Sequence, residues 1–361
     1  MRKLVTVRKI SAIESIDGAD KIEKVVVDGW NVVAQKGVHE VGKNILFFEI
    51  DSFLPESDPR FESFMKFGTR TFDGVKGHKV KTVRLKGVYS QGIIMPLSEF
   101  PEITDPQEDV DYAEVVGVVK WEKLEVVGYN GDAKGTFPWF LRKSDQERIQ
   151  NLYGKLSQTN YNTKFVGTLK MDGSSLTAFY VEGEKYQDEG FGYCSRNQQL
   201  KLPEEANLIG HLTKELPLDI STSGKFFQGA YNSDLFRKCL QLHHKFGSYY
   251  AIQGELVGAG IQGNFEKFDT YQVFAYNIFD IEKQEYVDYN TFTQMAEAVD
   301  LQICPVVYEE QCILQESLED ILALANGTGL KAAYREGIVW KQIDGRLQFK
   351  SISNKYLEKQ E

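Results

Sequence analysis

Short apolar runs broken by turn residues dominate the first third of the chain. LVTVRKI, KVVVDGWNVVAQ, NILFFEI, VKTVRL and GIIMPL follow one another between Gly, Asp and Pro signals. Runs of Val, Ile and Phe this short favour strands, and their regular recurrence predicts a small β barrel or sandwich over residues 1–120. The stretch 101–114 is acidic and holds Pro101 and Pro106; it reads as a loop or cap on that first unit. A turn-rich passage, GYNGDAKG, then marks a linker, placed at 121–136.

The period changes after the linker. Ser144-Asp145-Gln146-Glu147 fits an S-x-x-E capping box, and Ile149, Leu152, Tyr153 and Leu156 follow at the spacing of one helical face. Together they predict a helix opened by Ser144. Beyond it, the strand-like runs TKFVGTLK, SLTAFYVE, YYAIQGELVG, YQVFAYNIFDI, EGIVWKQI and RLQFKSI are interleaved with helical stretches at 207–216, 233–246, 291–299 and 318–325. Blocks of strands with helices between them predict an α+β domain with antiparallel sheets over 137–361.

A length of 361 residues agrees with two domains, and 42% hydrophobic with 26% charged residues is ordinary for a soluble protein. No apolar run approaches the roughly 20 residues that cross a bilayer, and the N-terminus lacks the pattern of a signal peptide. An intracellular monomer without membrane contact is the expectation. The four cysteines form no C-x-x-C pair and the five histidines lack metal-site spacing, so the thiols are expected reduced in or near the core. A net charge of -10 argues against a protein that coats nucleic acid. A local basic groove remains compatible with it: Lys76, Lys79, Lys81, Arg84 and Lys86 fall within 75–88 with no acid among them. They are candidates for RNA contact, or a solvated edge strand.

The chemistry centres on Leu169-Lys170-Met171-Asp172-Gly173-Ser174. A lysine at the end of a strand, beside a tight turn, can project into a cleft. Taken alone this is also the look of a solvated hairpin. Further elements follow in order: Ser195-Arg196-Asn197, Gly254-Glu255-Leu256-Val257-Gly258, Phe274-Ala275-Tyr276-Asn277-Ile278, Glu336-Gly337-Ile338-Val339-Trp340-Lys341, and Lys350. This ordered set resembles the motifs of the covalent nucleotidyltransferases, the polynucleotide ligases and mRNA capping enzymes. Upstream, Lys143-Ser144-Asp145-Gln146-Glu147-Arg148-Ile149-Gln150-Asn151 is similar to a segment found before the nucleophile in some RNA ligases. With it, the chain resembles the RNA ligase family that carries an OB domain ahead of the catalytic one, of the type found in Naegleria and Deinococcus.

That resemblance implies an ATP-dependent RNA ligase joining 3′-hydroxyl and 5′-phosphate ends, with nicked duplex RNA as partner, through a lysyl-AMP on Lys170. It implies a nucleotide site of Arg148, Leu169, Lys170, Asp172, Gly173, Arg196, Glu255, Phe274, Tyr276, Glu336, Lys341 and Lys350. Asp172, Glu255 and Glu336 are the acids expected to bind Mg²⁺ or Mn²⁺ or its waters. A free lysine, with a pKa near ~10.4, is protonated at neutral pH and cannot attack phosphorus. Neighbouring cations, Lys350 and Lys341, or a bound metal would favour its neutral form. Lys350 is assigned to the α-phosphate, Arg196 to ribose or the RNA 5′-phosphate, and Arg148 to the nucleotide, its metal waters or a surface ion pair. Tyr276 is the first choice for stacking on adenine and Phe274 the second.

In two places the chain departs from the family pattern. Many ligases have a second lysine two residues beyond the position of Lys350; here it is Ile352, so Lys341 or Arg335 takes that role or none is needed. The aromatic motif reads Tyr276-Asn277 where Phe-Asp is usual. Two other functions share parts of the pattern. A capping-type guanylyltransferase would carry its OB domain after Lys350, where only eleven residues follow. A non-catalytic RNA-binding protein on a ligase scaffold would have lost Lys170, Asp172, Glu255, Glu336 or Lys350.

Overall fold

The first strand organises the first unit. Strand β1 (Val5–Ser15) pairs through Val5–Lys9 with β4 (Asn44–Phe48) and, past an irregularity between Ile10 and Ala12, with β2 (Ile22–Val27). A bulge bends a strand and adds twist, so β1 serves both halves of a curved five-stranded sheet, ordered β10-β4-β1-β2-β3 with β3 (Trp30–Gln35) and β10 (Ile93–Pro96). Strands β5 (Ser52–Pro55), β6 (Arg70–Phe72), β7 (Val75–Lys79) and β11 (Val119–Lys120) make a second sheet; β8 (Thr82–Leu85) and β9 (Val88–Gln91) form a hairpin. KVVVDGWNVVAQ is the β2–β3 hairpin, turning at Asp28-Gly29 with Asp28 at φ 50°, the D-G chemistry of a tight turn. Val25, Val27, Trp30 and Val32 alternate inward. The acidic cap covers the barrel, with Phe100 and Tyr112 buried against Val5, Leu46 and Phe48. The computed structural model describes residues 2–121, 132–187, 190–203 and 219–360.

The second unit has two sheets. One is ordered β12-β17-β16-β15-β18-β19-β20, from β12 (Ala133–Thr136), β15 (Ser174–Val181), β16 (Gly190–Cys194), β17 (Gln198–Leu200), β18 (Tyr250–Val257), β19 (Gln272–Asp280) and β20 (Glu285–Tyr286). The other is ordered β13-β23-β22-β14-β21, from β13 (Glu147–Arg148), β14 (Phe165–Lys170), β21 (Val306–Gln311), β22 (Gly337–Gln342) and β23 (Gln348–Ile352). Among the described strands of this unit β13 and β23 pair in parallel and the others antiparallel, with an isolated parallel bridge between Ala275 and Ile303. Side chains alternate between the faces of a strand. On β18, Tyr250, Ile252 and Leu256 meet the helices Lys225–Asn232, Leu235–Phe246 and Tyr289–Ala298. Ala251, Gln253, Glu255 and Val257 face the other way. The helices Ile149–Thr159 and Leu318–Leu324 cover the five-stranded sheet.

The expected strands and the helices at 233–246, 291–299 and 318–325 are present within a few residues. The helix expected at 207–216 and most of the linker fall outside the described residues. The capping box is a correction: the helix begins at Ile149, after Arg148. Glu147 and Arg148 are instead drawn into the sheet beside Phe349 and Lys350. Ser144 Oγ accepts from the Asn277 and Gln146 amides, at 3.1 and 2.8 Å, in place of helix N–H groups.

The two units share a core. Ile352, Tyr356 and Leu357, at and beyond the end of β23, are buried with the barrel residues. Opposite them, Trp30 Nε1 donates to Asn151 Oδ1 at 2.6 Å, and Asn151 Nδ2 donates to the buried Glu49 at 3.1 Å. A Cβ on Gly29 would stand 2.7 Å from Gln150 O, so the hairpin tip sits directly on that helix. No helix among the described residues is long and apolar enough to cross a membrane.

Candidate active site

Strand register gathers the site. Lys170 ends β14 opposite Gly337, the first residue of β22. Glu336 therefore arrives beside the lysine, Oε1 2.7 Å from Nζ. The chain then crosses from one sheet to the other through Met171-Asp172-Gly173. Gly173 is required by the close approach: a Cβ there would lie 2.2 Å from Leu256 O and 2.9 Å from Glu255 Cγ. This proximity brings Glu255, paired with Ser175, to the same cavity. Lys350 lies across from Val339 and alongside Arg148.

The cavity measures about 1180 Å³. Arg148, Leu169, Lys170, Asp172, Gly173, Arg196, Glu255, Tyr276, Glu336 and Lys350 all line it. Two expected members do not. Phe274 is buried in the core against Phe268, with ring centroids 5.6 Å apart, because its neighbours close over it. Lys341 lies behind the cavity wall, its ammonium donating to Tyr276 O and to Asn277 Oδ1 and sitting 4.8 Å from the Phe292 ring. Burial pushes its pKa down to about 8. Arg335 is equally committed, to the carbonyls of Leu324, Ala325 and Asn326 and the Tyr308 hydroxyl. Neither supplies the second cation missing at Ile352.

The first unit supplies cations instead. Arg2 and Lys79 line the cavity. Arg2 pairs with Glu49 at 2.6 Å and Asp51 at 3.0 Å, and Lys79 with Asp51 at 3.2 Å. Arg148 is buried, with Nε 3.9 Å from Glu49 and with Nε and Nη1 lacking hydrogen-bond partners. Arg2 and Asp51 carried no local signal in the sequence, since only the folded barrel turns them toward a site more than a hundred residues away. The basic stretch 75–88 divides: Lys79 faces the cavity, Lys76 is exposed and paired with Glu56 at 2.7 Å, and Arg84 stacks 5.2 Å from Tyr89. Lys81 precedes the β8–β9 hairpin and Lys86 stands exposed in its turn.

Electrostatics sets the resting state of Lys170. Burial opposes the Lys170 ammonium, but Glu336, Glu255 and Asp172 outweigh it and hold its pKa above the ordinary lysine value. The expectation that neighbouring cations keep Lys170 neutral is not met here, because a carboxylate is its nearest partner. Burial raises the pKa of Glu255 to about 8, with Glu336 and Asp172 adding to the shift. Burial, then Asp172, raises that of Glu336, against the pull of Lys170. Burial lowers Lys350 to about 7, helped by Arg148, Lys170 and Arg2. Asp172 is hydrogen-bonded by the Tyr356 phenol from the C-terminal helix Asn354–Gln360.

The three acids do not make an all-protein metal site: among the described residues no three His, Cys, Asp or Glu side chains converge on a metal position. Glu336 Oε2 is nonetheless buried without a hydrogen-bond partner. A hard cation that keeps several waters and takes one or two carboxylates fits this donor set.

A primary amine, buried acids and cations from both units line one cavity. An OB-fold domain model matches residues 4–97 and an RNA ligase model matches residues 163–357. None of the curated proteins matches the chain. Among solved structures, Naegleria gruberi RNA ligase with PPi is 33% identical over 99% of both chains, with a TM-score of 0.85. Mutants of the same ligase with ATP and Mn, and with AMP and Mn, are each 32% identical over 99% of both chains, also at 0.85. By domain models and by likeness over the whole chain, it belongs to the RNA ligase family, with an OB-fold domain ahead of the ligase domain.

Proposed function

We propose that the protein seals RNA 3′-hydroxyl and 5′-phosphate ends, at nicks in duplexes, by way of a lysyl-AMP on Lys170. The observation that carries this reading is the meeting of Lys170 with Glu336 at 2.7 Å in a cavity that also holds Glu255, Lys350 and Arg148. Family membership supports the use of ATP and of Mg²⁺ or Mn²⁺. The domain division 1–120, 121–136 and 137–361 is part of the same proposal.

Lys170 Nζ, once deprotonated, attacks the α-phosphorus of ATP; the N–P bond forms as the bond to pyrophosphate breaks. Lys350 neutralises charge growing on the α-phosphate oxygens. Arg148, Arg2 and Lys79 face the pyrophosphate end, and the unpartnered Arg148 Nε and Nη1 can donate to it. Tyr276 offers its ring to adenine, its hydroxyl held by Ser175 at 3.0 Å. When bound through Glu336, a divalent cation would supply charge neutralisation at the phosphates. The AMP then passes to an RNA 5′-phosphate, where Arg196 is placed to hold ribose or phosphate, and the 3′-hydroxyl displaces AMP.

The test is incubation with labelled ATP and Mg²⁺, a denaturing gel for the protein–AMP adduct, and a panel of nicked duplexes. Absence of the adduct in wild type would overturn the reading. A GTP arm separates it from capping chemistry.

A further inference from the structure

We propose that residues 137–143, on the rim of the cavity, receive the RNA strand flanking the junction, with one base stacked on Trp139. This rests on the ligase reading and adds to it a surface outside the nucleotide cavity.

The geometry begins at β18. Gln253 and Glu255 share its cavity-side face, two residues apart, or roughly 7 Å along a strand. Gln253 Nε2 donates to Arg142 O at 2.7 Å, and the Tyr286 hydroxyl donates to the same carbonyl at 3.0 Å. The segment is thereby fixed just beside the catalytic row. Its inner end, Ser144 to Gln146, lines the cavity. Moving outward, Lys143 Nζ is bonded to the side chain of Asn197 at 2.9 Å, and Asn197 and Arg196 are cavity residues. Arg142 and Lys143 are exposed.

Trp139 is 67% exposed. A single exposed aromatic is ordinary, but this one is held in place. Phe140 is buried against Phe179 and Tyr186, and it meets the indole at 86° and 5.7 Å, leaving the ring presented to solvent. The protein as a whole carries -10, yet Arg142 and Lys143 follow this ring within four residues, Lys143 Nζ sits 5.6 Å from the Phe137 ring, and Arg196 lines the adjoining cavity; Arg196 pairs loosely with Asp145 at 3.8 Å. An aromatic face with cations beside it is the chemistry that binds a nucleic-acid strand without reading its sequence.

The experiment measures affinity of a labelled nicked RNA duplex by fluorescence anisotropy, with divalent ions omitted, for full-length wild type, Trp139→Phe, Trp139→Ala and Arg142→Gln/Lys143→Gln. Trp139→Ala should weaken binding about tenfold and Trp139→Phe much less, since base stacking needs the ring. Arg142→Gln/Lys143→Gln should lower the salt slope by about 1 to 2, while Trp139→Ala leaves it unchanged. Lysyl-AMP formation should equal wild type in both Trp139 variants. Unchanged RNA affinity in Trp139→Ala overturns the proposal and leaves the ring to a protein partner. Loss of lysyl-AMP formation along with RNA affinity also overturns it, marking the segment as a structural wall. Wild type that binds no nicked RNA would instead sink the ligase reading, and this proposal with it.

Discussion

Lys170 Nζ and Glu336 Oε1 stand 2.7 Å apart because Lys170 is the register partner of Gly337. In the proposed reaction the same carboxylate both restrains the amine and serves the chemistry. It favours an ammonium that cannot attack, and it is the acid best placed to hold the metal that orders the phosphates. Glu336→Gln should therefore move two readouts in opposite directions. Modification of Lys170 by a small amine-reactive reagent at about pH 8 should quicken, because losing the anion lowers the lysine pKa and enlarges its neutral fraction. Formation of protein–AMP should slow by more than about tenfold. A fall in both, with an intact fold, would show that Glu336 does not restrain the amine.

Replacement of the proposed nucleophile should abolish the adduct completely. Lys170→Ala and Lys170→Arg should both lose labelled protein–AMP while keeping the wild-type circular dichroism spectrum. Guanidinium stays charged at any working pH and is no substitute for an amine. A surviving adduct in either variant would move the chemistry to another residue.

Glu255 links function to stability. Burial lifts its folded pKa to about 8, against an ordinary value of 4.5. Between those values the folded state holds a proton that the unfolded state releases, so the group's contribution falls as pH rises from about 4.5 to about 8. Glu255→Gln removes that term. Its melting temperature should match wild type near pH 4.5 and exceed it increasingly toward pH 8, while protein–AMP formation drops. A gap that is constant with pH would mean the carboxylate is not the source.

Much of this site was legible because strand-end motifs keep their order along the chain. Lys170, Asp172, Glu255, Glu336 and Lys350 each sit within or beside a short apolar strand, and all reach the cavity. Periodicity also found the face Ile149, Leu152, Tyr153 and Leu156. What it missed depended on distant partners. The S-x-x-E box is locally sound, but pairing of Glu147-Arg148 with β23 outcompetes the extra turn of helix. Phe274 and Tyr276 look equivalent by alternation, and the distant residues that pack around Phe274, among them Leu169, Val257 and Phe268, decide which of them is core. Lys341 follows a strand pattern that cannot say whether its ammonium reaches a cavity or a carbonyl.

The first domain's role follows from where its charges point. Arg2 and Lys79 reach the cavity, tied to Glu49 and Asp51, and Glu49 is held by Asn151. Lys76, Arg84 and Lys86 lie exposed elsewhere on that domain. Cutting away residues 1–127 would also strip the partners of Ile352, Tyr356 and Leu357, so substitutions give the cleaner experiment. Arg2→Ala/Lys79→Ala should raise the ATP concentration needed for protein–AMP formation and slow that step by about tenfold or more, since buried charge-assisted contacts to phosphate are lost. Sealing of a nick whose 5′ end already carries AMP has no pyrophosphate to hold, and it should fall by no more than about threefold. Lys76→Ala/Arg84→Ala/Lys86→Ala should do the reverse if those side chains touch RNA: normal protein–AMP formation, weaker sealing and a shallower dependence of binding on salt. Measuring both steps on both variants decides the matter. If Arg2→Ala/Lys79→Ala forms protein–AMP normally but cannot seal the adenylylated nick, these cations serve RNA and, of the three, only Arg148 is left for the pyrophosphate end.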